Sequence, residues 1–415
     1  MLIEVEGGRK AAGELTVQGA KNAVLPMIAA TVLCRQTTVI ENCPRIQDVY
    51  SMTAVLKDIG AKVSWEEDKL IIDTASVTKS EITQKEVGDI RASILFLGSM
   101  LGRMQVAGIR LPGGCSIGAR PVDYHLAAFS AMGAETSQQE DVICCEIKHK
   151  GEERVKLPYP SVGATENVIL YAVLRKGITI LENAAKEPEI RELCEFLRQM
   201  GAQIYGDGEE CITIQGVNEL QGVVYRLKTD RIAFLTYAAM VAGSGGSACF
   251  RVYGDTFEAE KKYLAKTGCH METIGDQIRI SGEGGIRPVP YIRTEPYPGF
   301  PTDAQSLFLT LLSRSYGESL IEESVFENRF LVAGQLRKMG ADIEVAGQRA
   351  CVRGVTRLHG EMVQATDLRS GAALLLAGVM AEGRTMVDQS HYILRGYEIP
   401  VENMQNLGLC ARYVV

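Results

Sequence analysis

The sequence predicts an α/β (α+β) protein of two domains, each built from three copies of a βαβαββ unit. Two observations carry this reading. A helix closed by glycine recurs six times at nearly constant spacing, and 415 residues are too many for one small core. The recurring segments are VLKDIGAKV, FSAMGAETS, FLRQMGAQI, LAKTGCHME, LRKMGADIE and MQNLGLCAR. Their glycines are Gly60, Gly133, Gly201, Gly268, Gly340 and Gly408, separated by 73, 68, 67, 72 and 68 residues. Such regularity marks an internal repeat.

Each element of the unit follows from local pattern. Apolar residues at i, i+3, i+4 and i+7 predict an amphipathic helix, as in Met52, Val55, Leu56 and Ile59, and again in Leu193, Phe196, Leu197 and Met200. Glycine then ends the helix, because it enters the left-handed region without steric cost. A strand pair comes next, for instance KVSWEEDKLIID and QIYGDGEECITIQG, the second with a Gly-containing turn. Ahead of each amphipathic helix stands a more apolar helix leading into a strand: AATVLCRQTTVIEN, LYAVLRKGITILEN, LTLLSRSYGESLIEES and LLLAGVMAEGRTMVDQ. The units are longer than typical solenoid repeats, so two domains of three units fit better than an open array. A repeat architecture by itself specifies no chemistry.

Composition narrows the function classes. Apolar content of 46% with 23% charged residues matches a globular chain. The start, MLIEVEGGRK, lacks the apolar region of a secretory signal, and no apolar run approaches the roughly 20 residues of a membrane span; a cytoplasmic location and no membrane partner are expected. Eleven scattered cysteines without CxxC spacing, and five dispersed histidines, predict reduced thiols and no metal site. A net charge of −7 argues against nucleic-acid binding, though a local arginine cluster can still hold an anionic small molecule. The oligomeric state is left open, and a monomer is compatible with all of this.

Several stretches point to chemistry. In LPGGCSIGARPVDYH, residues 111 to 125, Cys115 follows two glycines and precedes Arg120. A cation near a thiol favours the thiolate, and the glycines give the loop freedom to approach a ligand or move. A packed apolar role suits the other ten cysteines better than this one. In VQGAKNAVLP, Lys21 and Asn22 stand at a helix start, where backbone N–H groups and the dipole favour an anion, although a solvated lysine is common at such a place. Arg91 in DIRASILFLG and Arg395 in ILRGYE would, each taken alone, more often make a salt bridge than touch a ligand. In PYPGFPTDAQSLFL a Pro/Gly turn delivers Asp303 to a helix start, as an N-cap-region acid or as a base.

Together the segments GAKNAVLP, RASILFLG, LPGGCSIGARPVD, SVGATENVIL, PGFPTDAQ, ENRF, TDLRSGAALLLAG and RGYE, running in order from residue 19 to 398, resemble the UDP-N-acetylglucosamine 1-carboxyvinyltransferase family. The resemblance implies two inside-out α/β barrel-like domains of the enolpyruvyl transferase fold, residues 21–228 and residues 1–20 plus 229–415, with the active site in the cleft between them. It implies transfer of the enolpyruvyl group from phosphoenolpyruvate to the 3′-hydroxyl of UDP-N-acetylglucosamine, in peptidoglycan precursor synthesis, with no cofactor or metal. Lys21, Arg120 and Arg395 would hold phosphoenolpyruvate, and Asn22 would bridge both substrates. Arg91, Arg120, Pro121, Val122, Asp123, Tyr124, Ser161, Val162, Gly163 and Val325 would bind the nucleotide sugar. Asp303 would act as base at the 3′-hydroxyl, and Cys115 would protonate the methylene carbon and be alkylated by fosfomycin. Arg329 and Asp367 would sit close by. Two rivals remain in view: a sister enolpyruvyl transferase acting on shikimate 3-phosphate, and a non-catalytic paralogue that binds the nucleotide sugar. The sequence departs from the family at Ala233, Phe234 and Leu235, after ENRF at residues 331–335, at Tyr124 where leucine is common, and at the C-terminus; changed local packing is expected there.

Overall fold

A computed structural model describes residues 1–84, 90–111, 122–254 and 257–414. Its contacts divide into two compact units. Unit I comprises the described residues from Gly19 to Leu227; unit II comprises Met1–Gln18 with the residues from Lys228 onward. Each holds its own hydrophobic core.

Unit I contains helices α1 (Lys21–Ala30), α2 (Gln47–Asp58), α3 (Leu95–Met104), α4 (Asp123–Ala131), α5 (Val162–Ala172) and α6 (Pro188–Gln199). Unit II contains α7 (Arg231–Ser244), α8 (Glu258–Lys266), α9 (Gln305–Leu312), α10 (Val332–Lys338), α11 (Leu368–Met380) and α12 (Pro400–Asn406). The odd-numbered helices are buried almost throughout their length, whereas the even-numbered ones bury one face. That is what the uniform and the amphipathic apolar patterns dictate. In unit II the three buried helices pack on one another, and in unit I α3 packs on both α1 and α5.

Three four-stranded sheets accompany the helices in each unit. In a representative sheet, Arg154–Lys156 runs parallel to Ile178–Glu182, which pairs antiparallel with Cys211–Gln215, itself paired with Gln203–Tyr205. With α5 and α6 between its strands, this is the expected βαβαββ unit. All six repeat glycines have positive φ, from 71° at Gly408 to 107° at Gly60, as a glycine helix stop requires.

Three sheets are completed by strands distant in sequence; in one, in unit II, Ala12–Thr16 runs parallel to Ser247–Arg251. Val224–Arg226 runs parallel to Thr37–Glu41 in unit I. In unit II the strand Leu2–Glu6 inserts between Arg384–Asp388 and Cys410–Val414, antiparallel to both. The atypical segments form ordinary core. Ala233, Phe234 and Leu235 are buried in α7, with the Phe234 ring stacked on Phe257 at 4.6 Å and edge-on to Phe250 at 5.6 Å. Val332 and Ala333 are buried at the start of α10, and Leu331 is exposed. Among the described residues no helix is long and apolar enough to cross a membrane.

Candidate active site

Cys115, Arg120 and Pro121 lie outside the described residues. The remaining candidates fall into two sets, one in each unit.

In unit I, Lys21 is the first residue of α1, and Asn22 follows it. A cation there opposes the helix dipole. The opposition is offset by Asp48, in the first turn of α2, whose Oδ2 lies 2.7 Å from Lys21 Nζ; both side chains are buried. Arg91 opens the 3-10 turn Arg91–Ile94 that leads into α3, and this turn packs against α1 and α2. Ser161 caps α5, its Oγ accepting from the Ala164 N–H at 3.4 Å, while Val162 and Gly163 form the first turn. That turn offers backbone N–H groups suited to an anion. Val122 is the N-cap of α4, Asp123 its first residue and Tyr124 its second. Tyr124 lines a groove of about 410 Å³ with Ala127, Ala131, Val155, Lys156 and Pro158.

A hydrogen-bond chain ties these pieces together. Asn167, on α5, accepts from the Gly98 N–H at 2.9 Å and donates to the Ile94 carbonyl at 3.1 Å. Its Nδ2 also lies 2.7 Å from Nδ1 of His125 on α4. Gly98 permits this approach: a Cβ there would stand 2.5 Å from the Asn167 carbonyl oxygen. Burial, and then the charge of Arg91, lower the His125 pKa to about 3. Nearby, burial and then the charges of Glu189 and Glu187 push the Glu166 carboxyl well above its ordinary range.

In unit II, Asp303 sits in a 3-10 turn ahead of α9. Its Oδ1 accepts from Arg329 Nη2 at 2.6 Å and its Oδ2 from Arg369 Nη2 at 2.7 Å. Both guanidiniums are buried, and the carboxylate is about one-quarter exposed. Burial, the largest influence, would lower the Arg369 pKa; the Asp303 charge and hydrogen bond, together with Tyr397 and Asp230, outweigh it and hold the pKa above the ordinary arginine range. Arg369 also reaches the Tyr397 hydroxyl at 3.5 Å, which bonds Thr236 at 2.7 Å.

Neighbouring groups hold this set in place. Glu323 accepts from the hydroxyls of Thr294 and Thr302, each at 2.9 Å, and from the N–H groups of Val325 at 2.9 Å and Phe326 at 3.1 Å. It thereby fixes Val325 and the residue beside Asp303. Asp367 caps α11, accepting from the N–H groups of Arg369 at 2.8 Å and Ser370 at 3.1 Å in a capping box. Arg395 is the last residue of the 3-10 helix Ser390–Arg395. The loop after it is held by Gln18, which donates to the Gly396 carbonyl at 2.9 Å and accepts from the Glu398 N–H at 3.0 Å.

Known proteins give this geometry its context. The family model described as EPSP synthase (3-phosphoshikimate 1-carboxyvinyltransferase) matches residues 5–404. UDP-N-acetylglucosamine 1-carboxyvinyltransferase 2 of Caldanaerobacter subterraneus subsp. tengcongensis is 42% identical over 408 residues, 98% of each chain. UDP-N-acetylglucosamine 1-carboxyvinyltransferase of Thermotoga maritima is 40% identical over 415 residues, 99% of this chain and 98% of that one. The chain belongs to this carboxyvinyltransferase family. Its fold is that of the enolpyruvyl transferases: the structure of NikO from Streptomyces tendae covers 100% of this chain and 98% of its own, with a TM-score of 0.88 at 24% identity. EPSP synthase from Acinetobacter baumannii matches over 100% of both chains, with a TM-score of 0.76 at 16% identity.

Against this carboxyvinyltransferase background, the structure adds residues that sequence reasoning passed over. Arg369 lies inside the quoted stretch TDLRSGAALLLAG, yet it reads there as an ordinary helical arginine; only the fold brings it to Asp303. His125, Asn167, Asp48, Glu323 and Gln18 carry no local signal beyond being polar residues in or beside apolar runs. Arg231, two residues from the atypical Ala233, forms a buried ion pair with Glu260 at 2.8 Å. Among the described residues no group of three or more His, Cys, Asp or Glu side chains could hold a metal ion. Burial pushes the thiols of Cys145 and Cys269 up to about 12, which makes them unreactive.

Proposed function

We propose that this carboxyvinyltransferase moves the enolpyruvyl group of phosphoenolpyruvate to the 3′-hydroxyl of UDP-N-acetylglucosamine, releasing phosphate, as a cytoplasmic step of peptidoglycan precursor synthesis. The observation that carries it is the 42% identity over almost the whole chain to a UDP-N-acetylglucosamine 1-carboxyvinyltransferase.

Both substrates are polyanions. Two like unit charges about 4 Å apart repel by roughly 4 kcal/mol at an effective dielectric of about 20, so the reaction needs cations at both ends. Lys21, Arg120 and Arg395 hold phosphoenolpyruvate in this reading, with Asn22 bridging to the sugar. Arg91, residues 120–124, Ser161, Val162, Gly163 and Val325 hold the nucleotide sugar. The Cys115 thiol gives its proton to the methylene carbon, leaving a cationic centre at C2. The sugar oxygen bonds to C2 as its proton passes to Asp303. The phosphate C–O bond then breaks, and a methyl proton returns to the Cys115 thiolate, which restores the alkene and the thiol. The two oxygens of Asp303 accept from Arg329 and Arg369. Arg329 and Arg369 thus aim the base, and Asp367 sets the helix end that presents Arg369.

The test is phosphate release from phosphoenolpyruvate with each acceptor in turn. Turnover is expected with UDP-N-acetylglucosamine. Turnover with shikimate 3-phosphate alone would replace the acceptor, and tight nucleotide-sugar binding without turnover would make the chain a binding paralogue. Fosfomycin should leave an adduct on Cys115, read by mass spectrometry of the peptide that contains it.

A further inference from the structure

The His125–Asn167 pair has no part in the reaction as written above. It is 95% buried at His125, and it joins three elements that each carry a proposed nucleotide-sugar contact: the Arg91 turn, the start of α4 and the start of α5. Two backbone groups of fixed polarity determine how the Asn167 amide lies. The Gly98 N–H can only donate, so the atom it meets is the amide oxygen; the Ile94 carbonyl can only accept, so the atom it meets is the amide nitrogen. The second hydrogen of that nitrogen points to His125 Nδ1, 2.7 Å away. Nδ1 must therefore accept, and the proton of the neutral ring resides on Nε2.

The ring edge carrying that proton lies against α5. A Cβ placed on Gly163 would stand 3.1 Å from Cε1 and 3.4 Å from Nε2 of His125. The imidazole thus occupies the space beneath the first turn of α5, where a side chain on residue 163 would crowd it. Arg91 bears on the same ring electrostatically, and with burial it keeps the imidazole uncharged at neutral pH.

We infer that His125 and Asn167 are positioning residues for the diphosphate of the nucleotide sugar: Asn167 locks His125 as the Nε2–H tautomer, and the locked ring sets the Gly163 end of α5 relative to the Arg91 turn. The inference rests on the nucleotide-sugar reading above, because that reading supplies the anion. It concerns binding, so it can be separated from turnover.

The experiment has two arms. Long-range ¹H–¹⁵N spectra of the wild-type chain should show the His125 ring with Nδ1 unprotonated and Nε2 protonated; a ring protonated on Nδ1, or a charged ring, overturns the lock without any variant being made. Calorimetric titration with UDP-N-acetylglucosamine should show affinity weakened about tenfold in Asn167→Asp, which cannot donate to Nδ1, and in His125→Phe, which keeps a ring but no acceptor. In steady state the same variants should raise KM for the nucleotide sugar and leave KM for phosphoenolpyruvate near the wild-type value. Unchanged affinity in folded variants, or an equal rise in both KM values, overturns the positioning role. Nucleotide-sugar binding without turnover in the wild type would instead overturn the transfer reaction and leave this inference standing.

Discussion

The polar sets of the two units solve opposite problems. In unit I a cation at a helix start is answered by one carboxylate, Lys21 to Asp48 at 2.7 Å, and the neighbouring binding groups are backbone amides, one arginine and a neutral imidazole. In unit II one carboxylate is answered by two buried cations, Arg329 and Arg369. In the proposed reaction the first arrangement presents donors to an anion, and the second restrains the carboxylate that serves as base. Buried ion pairs contribute little net stability, and breaking one by removing a partner costs much more. Each set is therefore better understood as fixing geometry than as strengthening the fold, and each should fail differently.

The largest effect is expected at Asp303. Asp303→Ala leaves both Arg329 and Arg369 without their common partner, so unfolding free energy should fall by about 3–5 kcal/mol, and turnover by roughly 10²–10⁴ from loss of the base. Asp303→Asn keeps the size and one acceptor, so it should recover part of the stability and none of the turnover. Denaturant midpoints set beside phosphate-release rates read the split. Turnover near the wild-type rate in Asp303→Asn would mean that the carboxylate charge does no chemistry.

A smaller effect should follow at Lys21. Lys21→Met removes the cation facing Asp48 and should cost on the order of 3 kcal/mol in stability together with phosphoenolpyruvate affinity. Adding Asp48→Leu removes the carboxylate of the broken pair. The double variant should regain most of the stability and none of the affinity, because Asp48 serves the lysine and not the substrate. If activity returned with stability, the lysine would be a structural group only.

Acid sensitivity probes unit I in another way. The His125 pKa falls from 6.5 to about 3 on folding, so the unfolded chain takes up the proton first as pH drops. Stability from the neutral ring is present above pH 6.5 and is lost below it, by up to about 1.4 kcal/mol per pH unit until the folded ring itself titrates. Glu166 runs the other way: its raised pKa means its contribution is lost as pH rises above the ordinary carboxyl range. The difference between wild type and His125→Gln, measured from pH 7 down to pH 4 in urea, isolates the histidine; the variant should show the shallower slope. Parallel slopes would place the acid-sensitive group elsewhere.

How much of this was legible in the sequence follows from the range of the interactions. The repeat was legible because a glycine helix stop and a 3.6-residue apolar period are local properties, written out six times. Lys21 and Asp303 were legible because each stands beside its own helix start in a short motif. Arg369 was not, since its meaning is an ion pair with a residue 66 positions away. Asn167 lies 42 positions from His125, and its amide is oriented by backbone groups of yet another helix. The N-terminal strand could be assigned to the second domain only through resemblance, because its pairing spans nearly the whole chain.

A side-chain contact of comparable range gives the smallest expected effect. Gln18 belongs to the N-terminal arm, yet its side chain closes two hydrogen bonds to the loop after Arg395, at separations of 378 and 380 residues. One amide, donating to Gly396 and accepting from Glu398, holds the backbone that ends the arginine's own 3-10 turn. Each such bond is worth about 1 kcal/mol net, so Gln18→Leu should cost at most about 2 kcal/mol of stability, a loss unit II can absorb. The effect on binding should be more selective. Freed from Gln18, the loop spreads Arg395 over more conformations, and the ordering lost in the free protein must be recovered when phosphoenolpyruvate binds. KM for phosphoenolpyruvate should rise about threefold to tenfold while KM for the nucleotide sugar stays level, a pattern opposite to that of the His125 variants. Gln18→Glu keeps the acceptor for the Glu398 N–H but loses the donor to Gly396, and should fall between wild type and Gln18→Leu. If both variants shifted the two KM values together, the loop would be answering to the stability of unit II as a whole rather than to its tether.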